Sequence, residues 1–348
     1  MTDQHTVEMK RGWDQRARED ARWYINTLHR AQSEEEFDAS GQHEVQSQVV
    51  EGLDILTGGR DPRGLRLLEI GCGIGRMTRH LAALFGEVYA VDVSGEMIQQ
   101  AQTRLQDCAN VRLFETSGAD FALFPDQSFD VIFSAYVFQH VPSADIIRAN
   151  IVDAFRVLKP GGVFKFATNG VSEMASDEKD SPKDSWTGAA FPEAMIRATG
   201  RALGAQLLGL FGEETPYCWT MLRRRMHTRP LVSRPAPRLL LCGHVDDVAL
   251  TEIELCGARP YVTLALAGEF SEWDDADTLT VEIAGRALVP RYVGPPGVQV
   301  QAALPAVPAE TLLQVNVRLD TGLPLGEVTV QVCCADGARS TVGALRLR

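Results

Sequence analysis

A glycine-rich turn is the part of this sequence whose residue types and spacing best suit ligand chemistry. The turn reads Glu69-Ile70-Gly71-Cys72-Gly73-Ile74-Gly75 and lies between a strand-like apolar run and a helix-like segment. Glycines permit a tight turn and let a ligand approach the backbone without meeting a Cβ atom. The dinucleotide pattern Gly-x-Gly-x-x-Gly is not met, because Arg76 stands where its third glycine should be. An acid at Glu69 suits a cationic ligand better than a pyrophosphate.

A second acid, Asp92, ends the next strand-like run, Val88–Asp92. A carboxylate in that place can accept hydrogen bonds from both hydroxyls of a ribose, as in dinucleotide folds, where it follows about 20 residues after the glycines. The alternative is that Asp92 caps the helix-like segment that starts near Ser94. The glycine turn beside it favours the ribose interpretation.

Five stretches, taken in order, resemble the successive motifs of class I S-adenosylmethionine-dependent methyltransferases, of the type that acts on small molecules or glycans. They are Glu69–Gly75, Asp92, Asp120-Phe121, Asp130–Ala135 and Leu158–Gly162. The resemblance implies S-adenosylmethionine as the cofactor, with its methionine portion on the glycine turn and its ribose on Asp92. It also implies that Asp120 contacts the adenine amino group and that the Phe121 backbone lies near the ring.

The cofactor-binding residues expected on this basis come from the amino-terminal segment, the glycine turn and the motifs that follow it. They are Tyr24, Glu69, Gly71, Cys72, Gly73, Gly75, Asp92, Val93, Met97, Asp120, Phe121 and Ser134. No metal site is predicted, because the seven cysteines include no Cys-x-x-Cys spacing. Their odd number also argues against a disulfide framework, and all are expected to be reduced.

Gln139 and His140 follow the fourth strand-like run, whose carboxyl end faces the ligand crevice in an open α/β sheet. Histidine can act as a general base near neutral pH, so His140 is the candidate catalytic residue. The alternative is that His140 only orders the loop before Pro142. The candidate acceptor-binding residues are Trp13, Tyr136, Gln139 and Trp186.

Strand-like and helix-like runs alternate between residue 65 and about residue 225. This alternation predicts an α/β fold with a doubly wound, mostly parallel sheet, and the methyltransferase resemblance implies seven strands. The predicted strands are Leu65–Ile70, Val88–Asp92, Val111–Glu115, Asp130–Ala135, Val163–Thr168, Gln206–Phe211 and Tyr217–Arg223. The last two are joined by a link too short for a parallel crossover, which predicts an antiparallel hairpin. Lys159-Pro160-Gly161-Gly162 is expected to be a turn that opens the fifth strand rather than part of a site.

Beyond about residue 230, short alternating runs separated by turn residues predict an all-β, immunoglobulin-like sandwich. Its predicted strands are Leu239–Cys242, Thr251–Leu255, Tyr261–Ala267, Thr278–Ile283, Val298–Ala303, Leu312–Leu319, Val328–Cys333 and Thr341–Leu347. Four domains are therefore expected: a helical lid over 1–60, a cofactor-binding domain over 61–228, a proline-rich linker over 229–237 and the sandwich over 238–348. Trp13 and Tyr24 are expected to close the lid over the cofactor.

The overall charge restricts the partners. The chain of 348 residues has a formal net charge of −12, which disfavours nucleic acid as a partner. No apolar run approaches the roughly 18 residues of a spanning helix, so no membrane span is predicted. The polar first residues lack a secretion signal, so a cytoplasmic location is expected.

The sequence thus predicts a methyltransferase that acts on a hydroxyl or amine of a small molecule or sugar. The Asn-Pro-Pro-Tyr sequence of many nucleic-acid and protein methylases is absent after the fourth strand, where Ser134-Ala135-Tyr136 stands instead. Two alternatives remain: an RNA or protein methyltransferase recruited by the sandwich, and a non-catalytic binding module of the same fold. The sandwich is expected to mediate homodimerisation or the docking of a carrier.

Overall fold

Two structural units make up the computed structural model, which describes residues 4–27, 29–171, 188–226, 235–256, 260–270, 274–334 and 338–348. The first unit comprises Met1–Leu203 and Gly212–Arg224, and the second comprises Gly204–Phe211 and Arg225–Arg348. This division differs from the expected domains in placing the strand over Gln206–Phe211 with the carboxyl-terminal strands.

A mixed sheet forms the centre of the first unit. Its strands are β1 (Arg66–Ile70), β2 (Glu87–Asp92), β3 (Val111–Glu115), β4 (Phe129–Ser134), β5 (Leu158–Thr168) and β7 (Cys218–Arg223). They lie in the order β3-β2-β1-β4-β5-β7, in which β7 alone runs antiparallel to its neighbour β5. Every residue of β4 is buried, as expected for a parallel strand whose two faces are both covered by helices.

Seven α-helices lie in the described part of this unit. They are α1 (Gln4–Ile25), α2 (Glu34–Gln48), α3 (Leu53–Thr57), α4 (Thr78–Leu84), α5 (Gly95–Arg104), α6 (Ala144–Val157) and α7 (Glu193–Ala202). Side-chain caps set several of their starts: Ser33 and Glu36 form a capping box at α2, and the Ser94 hydroxyl accepts the Met97 N–H at α5. Because α5 starts immediately after β2, its first turn lies beside Asp92.

The predicted α/β alternation is confirmed, with one correction at the fifth strand. Lys159–Gly162 was expected to be a turn, but β5 already begins at Leu158 and includes these residues. The reason is that the glycine pair still takes part in the ladder: Gly161 N–H donates to Arg224 O at 2.7 Å, and Arg224 N–H donates to Gly162 O at 2.9 Å. Gly161 adopts φ +80°, which glycine tolerates without strain.

The second unit consists of two sheets, as expected of a sandwich. Its strands are β6 (Gln206–Phe211), β8 (Arg238–His244), β9 (Glu252–Ile253), β10 (Tyr261–Ala267), β11 (Thr280–Ile283), β12 (Arg286–Leu288), β13 (Tyr292–Gly294), β14 (Leu312–Arg318), β15 (Gly326–Cys333) and β16 (Gly343–Leu347). One sheet has the order β6-β13-β14-β10-β8 and the other the order β12-β11-β15-β16-β9. The predicted linker over 229–237 lies mostly outside the described residues.

One predicted strand of this unit is wrong, because Val298–Ala303 forms a helix, α8. The alternating Val-Gln-Val-Gln residues suggested a strand with both valines on one face. Instead, Gln301 N–H donates to Gly297 O at 3.0 Å and Leu304 N–H donates to Val300 O at 3.1 Å. Helical geometry separates the two valines, so that Val300 is buried while Val298 is 84% exposed.

None of the helices in the described ranges combines the length and the apolar character that crossing a membrane requires. The cytoplasmic location stays a prediction.

Candidate active site

A cavity of about 690 Å³ opens at the carboxyl ends of β1, β2 and β4 in the first unit. That is where ligands bind in open α/β sheets. Four residues of the glycine turn line it, together with Asp92, Val93 and Met97 from the β2–α5 connection. The loop after β4 and the amino-terminal helices supply the remaining walls. The structure therefore brings most of the predicted cofactor and acceptor residues into one space.

Close packing explains why the turn requires glycine. Gly71 adopts φ +74°, and a Cβ atom there would lie 2.2 Å from Cγ2 of Val137. Gly73 adopts φ +55°, and its Cβ atom would lie 2.7 Å from Cδ1 of Ile25. The N–H groups of Gly71 and Cys72 both donate to Val91 O, at 2.8 and 3.0 Å. The turn is thereby attached to β2 and its backbone forms one side of the cavity.

Asp92 is held by the backbone on both of its carboxylate oxygens. Oδ2 accepts the Gly73 N–H and Oδ1 accepts the Ser94 N–H, each at 2.9 Å. Burial raises the pKa of Asp92, while these two hydrogen bonds oppose that rise. Because each carboxylate oxygen has a lone pair left, the oriented group can still accept hydrogen bonds from the hydroxyls of a bound ribose.

Glu69 does not line the cavity. It is 1% exposed, and its Oε2 accepts the Thr78 hydroxyl at 2.6 Å, while Oε1 has no partner in the described part of the chain. Burial raises the pKa of Glu69 to about 7, although the hydrogen bond from Thr78 acts in the opposite direction. A direct contact with the cofactor stays a prediction.

Three other predicted cofactor residues also lie off the cavity wall. Gly75 faces Leu105, and Ser134 is buried with its hydroxyl 3.3 Å from Ile70 O. Asp120 is exposed, and its Oδ1 accepts the Ala122 N–H at 3.2 Å. The adenine contact of Asp120 therefore stays a prediction as well.

Phe121 does line the cavity, but its backbone N–H already donates to Oδ2 of Asp153 at 2.6 Å. The Phe121 N–H is therefore already engaged within the protein. That the Phe121 backbone lies near adenine stays a prediction.

Helix α1 covers the cavity and contributes Met9 and Trp13 to its wall, with Tyr24 and Ile25 near its end. Three of its side chains, spaced four residues apart on one face, contact the far side of the site. Their polar contacts are Lys10 to Glu115 at 2.6 Å, the Ser94 hydroxyl to Asp14 at 2.7 Å, and Arg18 to Glu96 at 2.6 Å. The predicted placement of Trp13 and Tyr24 beside the cofactor site agrees with this arrangement.

The loop after β4 brings the candidate base to the cavity. His140 and Gln139 both line it, and their Nε2 atoms are 3.3 Å apart. The rings of Trp13 and His140 pack edge to face, with their centroids 5.4 Å apart. Oε1 of Gln139 is buried and has no hydrogen-bond partner among the described residues. Trp186, the remaining candidate for acceptor binding, lies outside the described residues.

The cavity residues that the sequence did not predict include Glu44, Arg76, Tyr217 and Trp219. Glu44 comes from α2, and its Oε2 accepts the hydroxyl of Tyr136 at 2.9 Å. Arg76 entered the sequence analysis only as a departure from the dinucleotide pattern. No local motif marks these positions, because their proximity arises from tertiary packing. Within the described ranges, His, Cys, Asp and Glu side chains form no group of three or more suited to a metal ion.

Comparisons with known proteins point to one family. Residues 67–162 match a family model described as a methyltransferase domain. Demethylmenaquinone methyltransferase of Tropheryma whipplei (strain Twist) is 37% identical over 99 residues, which are 28% of this chain and 39% of that protein. Ubiquinone biosynthesis O-methyltransferase of Xanthomonas oryzae pv. oryzae (strain PXO99A) is 33% identical over 118 residues, 33% of this chain and 48% of that protein.

A third relative, 2-methyl-6-phytyl-1,4-hydroquinone methyltransferase of Synechocystis sp., is 32% identical over 136 residues, which are 39% of each protein. The chain thus spans less than half the length of the curated relatives it matches. Residues 67–162 are thus similar to a methyltransferase domain, and the sheet topology and the glycine turn beside Asp92 agree with that similarity.

Proposed function

We propose that the protein transfers a methyl group from S-adenosylmethionine to a hydroxyl or amine of a small molecule or sugar. The observation that carries this proposal is the cavity itself, which joins the glycine turn and Asp92 to Gln139 and His140. A cofactor side and an acceptor side therefore share one enclosed space.

The residues present suit the cofactor. The cavity volume of about 690 Å³ lies in the range of small-molecule sites. Gly71, Cys72 and Gly73 offer backbone at close approach, Asp92 offers two oriented oxygens, and Val93 and Met97 offer apolar contact. When bound, S-adenosylmethionine supplies a methyl group activated by an adjacent sulfonium. The chain then has to align the acceptor with that methyl group and keep water away.

His140 is proposed as the general base for a hydroxyl acceptor. Its ring would take the proton that the hydroxyl loses as its oxygen gains the methyl group. Gln139 Nε2 and the edge-to-face contact with Trp13 hold the ring at the cavity wall. Trp13 has a second effect, because it belongs to the helix that covers the site and so helps to exclude water.

A small-molecule acceptor is supported by the relatives, whose names refer to menaquinone, hydroquinone and ubiquinone compounds. The structure of the second unit favours neither of the alternatives kept above. Homodimerisation or carrier docking through that unit stays a prediction.

Calorimetry with S-adenosylmethionine tests the proposal. The wild-type chain is expected to bind the cofactor, and Asp92→Ala is expected to weaken binding by about tenfold to a hundredfold, the loss typical of hydrogen bonds to a charged group. Asp54→Ala is the matched control, since Asp54 is an exposed acid on α3 away from the cavity. Absence of wild-type binding at millimolar cofactor would overturn the proposed function, and an unchanged affinity in Asp92→Ala would overturn the ribose assignment.

A further inference from the structure

A polar corner of the cavity is left unexplained by the cofactor site and by His140. It consists of Glu44 from α2, Arg76 from the end of the glycine turn and Tyr136 from the loop after β4, all of which line the cavity. We refer to these three residues as the Glu44 corner. Its hydrogen bonds show which groups remain available to a ligand.

Glu44 has one oxygen engaged and one oxygen free. Oε2 accepts the Tyr136 hydroxyl at 2.9 Å, whereas Oε1 has no hydrogen bond within the described part of the chain. Tyr136 is fixed in place: it adopts φ +59°, unusual for a residue with a side chain, and its ring meets Tyr217 and Trp219 edge to face at 5.5 and 5.9 Å. Glu44 is thereby oriented at the cavity wall, while its second oxygen keeps its capacity to accept a hydrogen bond.

Arg76 is a buried cation with little compensation. Arg76 is only 5% exposed, and its side chain makes one hydrogen bond to the described residues, from Nη1 to the Ser40 hydroxyl at a long 3.4 Å. Nε is sealed from solvent without a partner in the described chain, whereas Nη2 is unpartnered but not sealed. A Cβ atom at Gly41 would lie 2.1 Å from Arg76 O, so α2 packs directly on this residue and holds it in place.

Glu44 and Arg76 are not joined by a direct ion pair, although both lie in the described part of the chain. The carboxylate is nevertheless close enough to oppose the fall in the pKa of Arg76 that burial causes. Both residues line the cavity, and each keeps one side-chain atom without a hydrogen bond in the described part of the chain: the acceptor Oε1 of Glu44 and the donor Nη2 of Arg76. Such groups cost free energy when they are desolvated without a partner.

The charges in the cavity restrict what can bind there. Asp92 and Glu44 are acids and Arg76 is a base, which leaves one negative charge when His140 is neutral. S-adenosylmethionine carries one net positive charge and therefore balances the cavity. An anionic acceptor would meet Glu44 and a cationic one would meet Arg76, whereas an uncharged hydroxyl can donate to one and accept from the other.

We propose that Glu44 and Arg76 determine specificity for an uncharged acceptor, one of whose hydroxyls donates to Glu44 Oε1 and accepts from Arg76 Nη2. This inference rests on the proposed function and narrows its acceptor class. The aromatic wall of Tyr217 and Trp219 beside the corner suits a flat or ring-shaped body next to that hydroxyl.

Three small aromatic probes test the inference: benzyl alcohol, benzoate and benzylammonium. Their binding to the full chain saturated with S-adenosylmethionine can be followed by saturation-transfer NMR at millimolar probe. Benzyl alcohol is expected to bind about tenfold more tightly than either charged probe, because each of those leaves one buried charge unfavourably paired. Glu44→Gln should weaken the binding of benzyl alcohol and should raise the affinity for benzoate relative to that for benzyl alcohol. Arg76→Gln should also weaken the binding of benzyl alcohol, and should raise the relative affinity for benzylammonium.

Glu51→Gln is the matched control, since Glu51 is an exposed acid just beyond α2 that does not line the cavity. It should leave the order of the probes unchanged. Should Arg76→Gln fail to fold, Glu44→Gln alone decides, because a merely structural role of Glu44 would not change the charge preference.

Equal or tighter binding of a charged probe to the wild type, or absence of benzyl alcohol binding, would overturn the proposal. So would a Glu44→Gln chain that keeps the wild-type order of the probes. If Glu44→Gln instead weakens S-adenosylmethionine binding as much as Asp92→Ala does, the corner serves the cofactor and this inference fails while the proposed function stands. A wild-type chain that binds no S-adenosylmethionine would instead remove the proposed function itself.

Discussion

The two sides of the cavity differ in how their polar groups are satisfied. On the cofactor side, both oxygens of Asp92 are held by backbone N–H groups, and the glycine turn is attached to β2 by two hydrogen bonds. On the acceptor side, Gln139, Glu44 and Arg76 each keep an atom without a partner in the described chain. The cofactor side is organised before a ligand binds. The acceptor side has hydrogen bonds left to make, so we expect ligand specificity to be determined there.

Substitution of Gly71 should have the largest effect on stability, because Gly71 belongs to the organised cofactor side. Gly71→Ala is expected to cost about 3 kcal/mol of folding free energy, from overpacking against Val137 together with a left-handed backbone. Chemical denaturation measures the loss. Gly58→Ala serves as control: Gly58 has φ +63° but nothing within 4 Å of its Cβ position, so about 1 kcal/mol is expected.

The double variant Gly71→Ala with Val137→Ala removes the steric conflict and should recover part of the lost stability. If Gly71→Ala and Gly58→Ala destabilise the chain equally, close packing is not what requires glycine in the turn.

The pH dependence of stability should sharpen the comparison, because Glu69 is the one acid under the organised side with an unpartnered oxygen in the described chain. Its pKa is about 7 in the folded chain, compared with 4.5 for an unperturbed glutamate side chain. Between these values the folded state keeps a proton that the unfolded state has lost, so stability falls as pH rises through this window. The full loss, roughly 3 kcal/mol, is reached above pH 7.

Glu69→Gln cannot titrate and should keep the Thr78 hydrogen bond. The free energy of unfolding should be measured for this variant and for the wild type from pH 4 to 8. The value for the variant should rise relative to that of the wild type as the pH increases. Two parallel curves would show that Glu69 keeps an ordinary pKa in the folded chain.

The smallest effect is expected at the contact between α1 and α5, which covers both sides. Asp14 accepts the Ser94 hydroxyl and the Glu96 N–H, and these hydrogen bonds lower the pKa of Asp14 against the opposing effect of burial. Asp14→Ala should cost about 1 kcal/mol of stability and accelerate cofactor dissociation a few-fold in stopped-flow experiments. Glu8→Ala, an exposed acid on the same helix, should change neither quantity; equal effects of both would argue against a specific contact.

The organised side could largely be predicted from the sequence, because its residues lie within single local motifs. The glycine turn and Asp92 end consecutive parallel strands, and such ends meet at one edge of a sheet. Asp120 shows the limit of this reasoning: its motif was recognisable, but its carboxylate accepts a backbone N–H of its own turn. The acceptor side could be predicted only for the residues that directly follow β4. Glu44 reaches the cavity because Gly41 lets α2 approach Arg76, and no local pattern encodes a contact between such distant segments.

In the second unit, local sequence alone also led to a wrong prediction, because a two-residue alternation was taken for a strand where the chain forms a helix. Alternating valines over Val298–Ala303 are compatible with a strand, but the preceding Pro-Pro-Gly and the hydrogen bonds that follow it produce a short helix. Six residues are too few for the pattern alone to distinguish the two periods.

The contact between Gly71 and Val137 has a consequence for how the proposed methyltransferase could change its substrate. The Val137 side chain fills the volume that a Cβ atom of Gly71 would occupy, two residues before Gln139. The loop proposed to contact the acceptor and the turn proposed to bind the methyl donor therefore share one packing contact. A substitution that reshapes the loop for a new acceptor will also alter donor affinity, and by thermodynamic reciprocity each ligand will change the affinity for the other by the same factor. We therefore expect changes in acceptor specificity to keep a side chain of the size of valine packed against Gly71.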